Sequence, residues 1–187
     1  IMAINLQKNQ TINLTKEVAG LNQIFVGLGW DVSNDQAIDC DVSVFMLNEN
    51  HKIPTDGHFV FFNNLTSACG SVEHQGDNLT GEGEGDDESI FIKLSEVDSR
   101  VDQLLFVVTI HDAETKNQHF GHLENAFIRV YNQDNNEEIC MYNLEDDFDG
   151  YDSVQIGRIY RDGNAWSFEA MASPFGGGLG ALVELYS

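Results

Sequence analysis

Short segments in which apolar and polar residues alternate, or in which apolar residues run together, recur along the chain between polar turns. A period of two is typical of β-strands, because successive side chains point to opposite faces. In segment 38–47 this pattern separates four apolar residues from three polar ones: Cys40, Val42, Val44 and Met46; Asp39, Asp41 and Ser43. Segment 103–110 is almost wholly apolar, which predicts a central strand covered on both faces.

The same pattern predicts strands over most of the chain. They lie at 3–6, 11–14, 23–30, 38–47, 58–63, 89–94, 103–110, 125–131, 138–142, 153–160 and 165–172. A helical turn with Ser95 as N-cap is predicted at 95–98, and a short helix or a packed strand edge at 175–182. Many short strands with little helix predict an all-β fold, an antiparallel β-sandwich whose loops cluster at the sheet ends. We expect residues 1–187 to form a single domain, with residue 1 an expression remnant before Met2.

Composition limits the function classes. The chain has 187 residues, 42% of them hydrophobic, and 12 Phe, as expected of a globular protein rather than a disordered acidic one. A formal net charge of -22 argues against binding to nucleic acid or directly to anionic membranes, and favours cations and basic partners. Without a signal peptide or an apolar run near membrane-spanning length, we expect a soluble, cytoplasmic protein.

The stretch 77–88 concentrates the candidate chemistry. It holds six acidic residues, one Asn, one Thr and three alternating glycines, and no Lys or Arg lies between Lys52 and Lys93. Two unit charges about 4 Å apart repel by roughly 1 kcal/mol in water, so ordering this turn would be costly without a bound cation. Oxygen ligands select hard cations, and Ca²⁺ takes about 6–8 of them. The glycines permit positive φ angles, which let the chain curl around an ion. We interpret the stretch as a calcium loop.

Three other interpretations of this loop fit its residues less well. A solvated acidic linker stays open, although the run is short and is flanked by apolar, strand-like segments. The stretch is not an EF-hand, because Leu79 and Gly81 fall where that motif needs oxygen ligands. Its Gly-x-Gly-x-Gly spacing is a weak signal for a phosphate cradle, and the intervening acids would repel a phosphate.

Two other sets of carboxylates could join this site. Asp31 ends a predicted strand, where its alternative role is to cap backbone N–H groups of a turn. Asp39 and Asp41 lie about 7 Å apart on one face of a strand, where they either share an ion or partner or simply face solvent. If loops meet at one end of a sandwich, Asp31, the start of segment 39–47 and loop 77–88 converge on one cation cluster.

The remaining candidates favour structural roles. His111, His119 and His122 follow no known zinc spacing, so we expect structural histidines. The second acidic cluster, 144–152, also fails the EF-hand pattern and is interpreted as a solvated loop. Three cysteines without any Cys-x-x-Cys pair are interpreted as reduced structural thiols: Cys40, Cys69 and Cys140.

Several of these stretches resemble the TerD family of tellurite-resistance and stress-response proteins. They are VGLGWD at 26–31, DCDVSVF at 39–45, GSVEHQGDNLTGEGEGDDE at 70–88, and segments 61–65, 109–113, 125–129 and 176–179. The resemblance spans nearly the whole chain and implies a calcium-binding β-sandwich of the bacterial cytoplasm that acts in complexes at the inner membrane. It also implies calcium ligands from Asp31 and loop 77–88. Cys40 replaces a residue that is often apolar in the family, and the surface near Tyr151 departs from the Ser/Thr-rich family pattern.

The predicted function is therefore a non-enzymatic calcium-binding module that assembles with other tellurite-resistance and stress-response proteins. We expect one or two Ca²⁺ per chain, with the main ligands Asp31, Asp77, Asn78, Glu84, Asp87 and Glu88. Glu82 and Asp86 rank lower, and the backbone carbonyls near Leu79 and Gly83 complete the shell. The alternatives are a metal- or thiol-dependent enzyme of tellurite detoxification, for which no catalytic motif speaks, and a passive calcium buffer.

Overall fold

The structure is a computed structural model that describes residues 3–32, 38–76, 86–144 and 148–187. Over these residues the chain forms twelve β-strands, three short α-helices and three turns of 3-10 helix. The strands are β1 (Ile4–Leu6), β2 (Thr11–Asn13), β3 (Gln23–Val32), β4 (Cys40–Leu47), β5 (Phe59–Val60), β6 (Val72–His74), β7 (Glu88–Lys93), β8 (Gln103–Ile110), β9 (Leu123–Asn132), β10 (Glu138–Asn143), β11 (Ser153–Asp162) and β12 (Ala165–Phe175). The helices are α1 (Leu14–Glu17), α2 (Ala113–Lys116) and α3 (Gly178–Tyr186), and the 3-10 turns are Asp56–His58, Leu94–Glu96 and Phe120–His122.

The described strands build two six-stranded sheets. Sheet A has the order β1-β10-β9-β3-β7-β6, and sheet B the order β2-β12-β11-β8-β4-β5. Pairing is antiparallel except between β1 and β10. The inner faces of both sheets contribute to one apolar core, with fully buried side chains such as Leu28, Val42, Phe106 and Ile128. The predicted all-β sandwich is confirmed.

A second, smaller core lies on the outer face of sheet B, where α3 packs across the strands. Its buried residues are Phe45, Leu47, Phe59, Leu105, Val107 and Leu182. All eight residues of β8 are buried for this reason, as the apolar pattern predicted. The same layer covers part of the face of β4 that was expected to be polar, so Ser43 is fully buried.

Several local predictions differ from the structure. The strand expected at 58–63 is reduced to β5, because a 3-10 turn ends at His58 and a tight turn begins at Phe61. The helical turn expected at 95–98 begins at Leu94, so Lys93 and not Ser95 takes the N-cap position. Strand β6 was not predicted, because its three residues are too few to show a period. The glycine-rich 175–182 region enters a helix, with Gly177 and Gly178 at positive φ.

No helix in the described part of the chain is long and apolar enough to cross a membrane.

Candidate metal centre

Three predicted ligands, Asp86, Asp87 and Glu88, stand together at the start of β7. Glu88 pairs with Leu28 of β3, and the Asp87 N–H donates to the Leu28 carbonyl at 2.8 Å, so the ladder extends beyond the strand. The carboxylates therefore lie beside the glycine-containing second half of β3, which ends near Asp31. Of the loop 77–88, the structure describes Asp86, Asp87 and Glu88, and these three residues can be compared with the predicted convergence on Asp31.

A hydrogen bond holds the Asp87 side chain against the backbone next to Asp31. Asp87 Oδ2 accepts a hydrogen bond from the Trp30 N–H at 2.8 Å, one residue before Asp31. Burial raises the pKa of the Asp87 carboxyl in spite of that hydrogen bond, and the charges of Asp31 and Asp86 raise it further. The site thus concentrates negative charge at a partly desolvated carboxylate.

Asp31 is exposed and positioned by the neighbouring strand. Asn125 of β9 donates its Nδ2–H to Asp31 Oδ2 at 2.9 Å. The β3–β9 register shifts between Gly29 and Asp31, and Asn125 has a φ of 53°, so a local irregularity turns these two side chains toward each other. Asp87 therefore binds the backbone directly before Asp31, and each of the two carboxylates accepts its hydrogen bond through its own Oδ2.

Asp86 has a cation partner that the local sequence does not show. Arg129 of β9 binds it through two hydrogen bonds, Nε to Oδ1 at 2.8 Å and an Nη to Oδ2 at 2.9 Å. The two groups meet over Gly27, which pairs with Arg129, and a Cβ on Gly27 would lie 2.2 Å from Asp86 Oδ2. The hydrogen bonds and charge of Asp86 raise the pKa of the Arg129 guanidinium. The sequence neighbours of the loop offer no Lys or Arg, but the pairing of β3 with β9 places Arg129, 43 residues further along the chain, beside Asp86.

Glu88 joins the two sheets. It is 4% exposed, and its Oε2 accepts a hydrogen bond from the Val42 N–H of β4, in the opposite sheet, at 2.8 Å. The Val42 N–H points away from β8, toward the side of β4 on which β5 lies. Strand β5 is short and pairs only with Val44 and Phe45, so it does not reach Val42. The carboxylate therefore satisfies a backbone donor that the sheet leaves free.

His74 is a buried partner of Glu88 that sequence reasoning missed. Its Nε2 lies 3.2 Å from Glu88 Oε2, and its Nδ1 accepts a hydrogen bond from the Gly76 N–H. Because Nδ1 is the acceptor, the proton is on Nε2 and points at the carboxylate. The sequence contained no signal for this contact, because the three residues of β6 are too few to show a period, and the burial of His74 is seen only in the structure.

The other predicted ligands lie outside the described residues, and the predictions for them stay as made: Asp77, Asn78, Leu79, Glu82, Gly83 and Glu84. Within 3–32, 38–76, 86–144 and 148–187, no group of three or more His, Cys, Asp or Glu side chains is placed to hold a metal ion. Asp31 and Asp87 have the chemistry of calcium ligands, because both are carboxylates and their charges repel each other. Two carboxylates are too few to bind calcium alone, so residues 77–85 would have to supply the other oxygen donors.

The histidine-rich segment makes pairwise contacts. His119 Nδ1 lies 2.9 Å from Asp149 Oδ1, the rings of His119 and His122 are 4.0 Å apart, and His111 Nε2 lies 3.3 Å from Asp112. His119 also accepts a hydrogen bond from the Gly121 N–H in the turn before β9. These contacts are structural in kind, in line with the prediction.

The cysteines are free thiols in two environments. Cys40 and Cys140 are buried. Burial raises the pKa of the Cys140 thiol to about 12, and burial followed by the Glu88 charge raises that of Cys40. Cys69 is half-buried, and although burial raises its pKa, hydrogen bonds with Ser71 and Ser67 outweigh that effect and bring the pKa below its ordinary value.

Comparison with known proteins places this architecture in a family. The TerD domain model matches residues 2–186, so the chain belongs to the TerD family. It is 44% identical over 187 residues to "Tellurium resistance protein TerD" of Serratia marcescens, covering 99% of this chain and 97% of that protein. It is 43% identical over 188 residues to "General stress protein 16U" of Bacillus subtilis (strain 168), covering 99% and 97%. The resemblance seen in the sequence is confirmed.

A solved structure shares the fold. A homologue of telluride resistance protein (TerD) from Streptomyces coelicolor A3(2) superposes with a TM-score of 0.66 at 22% identity, over 90% of this chain and 99% of that one. This likeness supports the two-sheet architecture.

Proposed function

We propose that this member of the tellurite-resistance and stress-response family is a calcium-binding, non-enzymatic module that acts in assemblies with other cytoplasmic stress-response proteins. The observation that carries the calcium proposal is that Asp87 binds the N–H of Trp30, the residue before Asp31. The charges of Asp31 and Asp86 already raise the pKa of the Asp87 carboxyl. A bound divalent cation would relieve that repulsion, and the sequence directly before Asp86 holds further carboxylates.

The described carboxylates suggest a division of roles. Asp31 and Asp87 are the leading ligands, because the hydrogen bond that each accepts from a described residue uses Oδ2 and leaves Oδ1 for an ion. Asp86 binds Arg129, and Glu88 binds the Val42 N–H and the His74 ring. These contacts position the two ends of the site. Asp86 and Glu88 both remain predicted ligands, since a carboxylate has about four lone-pair sites. The remaining donors would come from Asp77, Asn78, Glu82, Glu84 and the carbonyls of Leu79 and Gly83.

Ca²⁺ suits this donor set better than Mg²⁺. It accepts about 6–8 oxygens in flexible geometry, whereas Mg²⁺ requires a tight octahedron near 2.0–2.1 Å and sheds water reluctantly. A glycine-rich loop that supplies many oxygens from neighbouring positions favours the larger ion. We propose one or two Ca²⁺ per chain.

The non-enzymatic part of the proposal is supported by two of the three thiols. Catalysis by cysteine needs a thiolate, and burial disfavours this form at Cys40 and Cys140, whereas hydrogen bonds lower the pKa of Cys69. A role in assemblies is consistent with an acidic protein that would recruit basic partners.

A thermal melt tests this proposal. Chelator-treated protein is heated in EDTA, in CaCl₂ and in MgCl₂ at equal ion concentration. A ligand that binds only the native state at a hundredfold excess over Kd stabilises it by roughly 2.7 kcal/mol. For a chain of this length that corresponds to a rise in Tm of about 5–11 °C with Ca²⁺ and a much smaller one with Mg²⁺. Equal Tm values in EDTA and CaCl₂, or equal rises with both ions, would contradict the proposal.

A further inference from the structure

An apolar groove runs along the outer face of sheet B, between α3 and the residues that follow β5. It has a volume of about 480 Å³ and is lined mainly by Ile53, Phe59, Phe61, Phe62, Leu179 and Val183. Leu179, Gly180 and Val183 lie on consecutive turns of α3, so one stripe of the helix forms a wall. The groove is open on the side away from the sheet.

A row of aromatic rings forms the opposite wall. Phe59 stacks on Phe45 at 4.6 Å and on Phe61 at 4.3 Å, and Phe62 meets Phe61 edge-on at 5.2 Å between centroids. The chain leaves the sheet after Val60 in a tight turn closed by hydrogen bonds between Phe61 and Asn64, which leaves Phe62 47% exposed. A large aromatic ring at the tip of an ordered turn, continuous with a buried stack, is typical of an interaction site.

A polar cavity adjoins the groove at the N-terminal end of α3. It measures about 310 Å³ and shares Phe62 and Leu179 with the groove as lining residues. Among the described residues, its charged lining consists of four carboxylates and one imidazole: Asp41, Asp112, Glu114, Asp152 and His111. His111 lies against Asp112, and Asp152 accepts a hydrogen bond from the Gly178 N–H of α3. The cavity keeps a clear excess of negative charge.

Among the described residues that line the groove, one is a carboxylate and none is basic. That carboxylate is Asp56, whereas Lys52, which donates its Nζ to the Leu185 carbonyl at 2.7 Å, is not a lining residue. A ligand that lies along α3 would therefore meet the carboxylates of the cavity at one end and, in the groove, aromatic and aliphatic side chains together with Asp56.

We propose that the groove and the acidic cavity together form a docking site for a basic, amphipathic peptide segment of a partner protein. An apolar anchor side chain fills the groove beside Phe62, and a Lys or Arg of the same segment reaches the acidic cavity. The occupant follows from charge complementarity, because a cation next to an apolar anchor matches the two adjoining surfaces. A long basic side chain suits this junction, since its apolar stem covers Leu179 and Phe62 while its charged end enters the cavity. The inference rests on the proposed assembly function and gives it a surface and a partner chemistry.

A random 12-residue peptide library displayed on phage, selected against the native protein, supplies the probe. We expect enriched peptides to combine an apolar residue with Lys or Arg. Synthetic versions, measured by fluorescence anisotropy, should lose at least tenfold in affinity for Phe62→Ser. Gly180→Glu gives a second groove variant, because a Cβ at Gly180 meets no atom within 4 Å and the exposed helix position tolerates a longer side chain. Leu185→Ser is the matched control, since Leu185 is 45% exposed on the same helix and does not line the groove.

The acidic half of the site is tested by the double variant Asp112→Asn with Glu114→Gln. We expect at least a tenfold loss in affinity and a weaker dependence on salt. Asp134→Asn with Glu137→Gln removes the same charge from the β9–β10 turn and should leave binding unchanged.

Each measurement is repeated in EDTA and in CaCl₂, so that a failure of calcium binding is seen separately from a failure of peptide docking. The inference is wrong if no peptide is enriched, if the enriched peptides lack Lys and Arg, or if the groove and cavity variants bind them like the controls. Concentration-dependent dimerisation that Phe62→Ser abolishes would assign the groove to a second copy of the chain and would also overturn it.

Discussion

The Asp86 carboxylate and the Arg129 guanidinium form a two-hydrogen-bond ion pair that crosses β3 from β7 to β9, at 2.8 and 2.9 Å. The Asp86 side chain is 7% exposed and that of Arg129 is 32% exposed. One of the acids closest to the proposed calcium site is therefore neutralised by the protein itself. Gly27, between them, provides the space for this contact.

Replacing Arg129 by Gln should destabilise the metal-free protein. The substitution leaves the buried Asp86 carboxylate without its charged partner, which we expect to cost about 1–3 kcal/mol. Urea unfolding in EDTA measures the loss. Lys93→Gln is the control, because the Lys93–Glu96 pair is exposed and 3.9 Å apart, and such pairs contribute about 0–1 kcal/mol.

Gly27→Ala tests the same contact from the opposite side, since the added methyl group would displace the Asp86 carboxylate. We expect its cost to resemble that of Arg129→Gln. The double variant should cost little more than either single one, because both remove one interaction. Additive losses would show that Gly27 is needed for another reason.

Replacing Glu88 by Gln should destabilise the fold with or without calcium. Both donors point at the same oxygen, Oε2, so an amide oxygen in that position still accepts from both, but it lacks the negative charge, and its NH₂ group puts a donor in the buried position of Oε1. We expect a loss of about 1–3 kcal/mol in EDTA. A variant with wild-type stability in EDTA and weakened calcium binding would instead show that Glu88 acts only as a ligand.

The cysteines are predicted to be dispensable for folding and calcium binding. Cys40 and Cys140 are buried, so serine would bury a hydroxyl and alanine is the better replacement, whereas serine suits the half-buried Cys69. The triple variant Cys40→Ala, Cys69→Ser, Cys140→Ala should fold and bind calcium as the wild type does. If it folds and binds calcium but no longer protects cells against tellurite, the thiol-enzyme hypothesis is favoured.

The stabilising effect of Arg100 should depend on pH. Hydrogen bonds from Arg100, and then one from His58, hold the pKa of Asp98 well below its ordinary value of 3.8. A carboxyl whose pKa is lower in the folded state stabilises the protein above its unfolded pKa and loses that effect as the pH falls through the folded value. Arg100→Gln should therefore be less stable than wild type at pH 7, and the difference should shrink below about pH 4.

Urea unfolding at pH 7 and pH 3 checks this expectation, with Lys116→Gln as a control for the loss of one exposed positive charge. A difference between wild type and Arg100→Gln that is the same at both pH values would contradict it.

The fold could be predicted because its strongest signals are local. The alternation in 38–47 and the apolar run in 103–110 correctly predicted strands β4 and β8, and the apolar run also predicted the burial of β8 on both faces. Where the signal was short or ambiguous, prediction was wrong or open. The three residues of β6 gave no period, and a glycine-rich segment before α3 is compatible with a strand edge as well as a helix.

The candidate site could be predicted only where its residues are close in sequence or end at the same sheet edge. Asp31 and Asp87 were expected together, and the Asp87 side chain binds the N–H of Trp30, the residue before Asp31. The partners Arg129 and His74 were missed, because strand order and register bring them to Asp86 and Glu88.

Calorimetric titration of chelator-treated protein with CaCl₂ tests the central claim most directly. We predict one or two ions per chain for the wild type. Asp87→Asn keeps an acceptor for the Trp30 N–H and removes one charge, and should weaken binding at least tenfold, or about 1.4 kcal/mol. Asp77→Asn should do the same, whereas Asp134→Asn in the β9–β10 turn should leave affinity unchanged. No saturable binding by the wild type, or wild-type titration curves for both Asp87→Asn and Asp77→Asn, would contradict a calcium site at this edge of the sandwich.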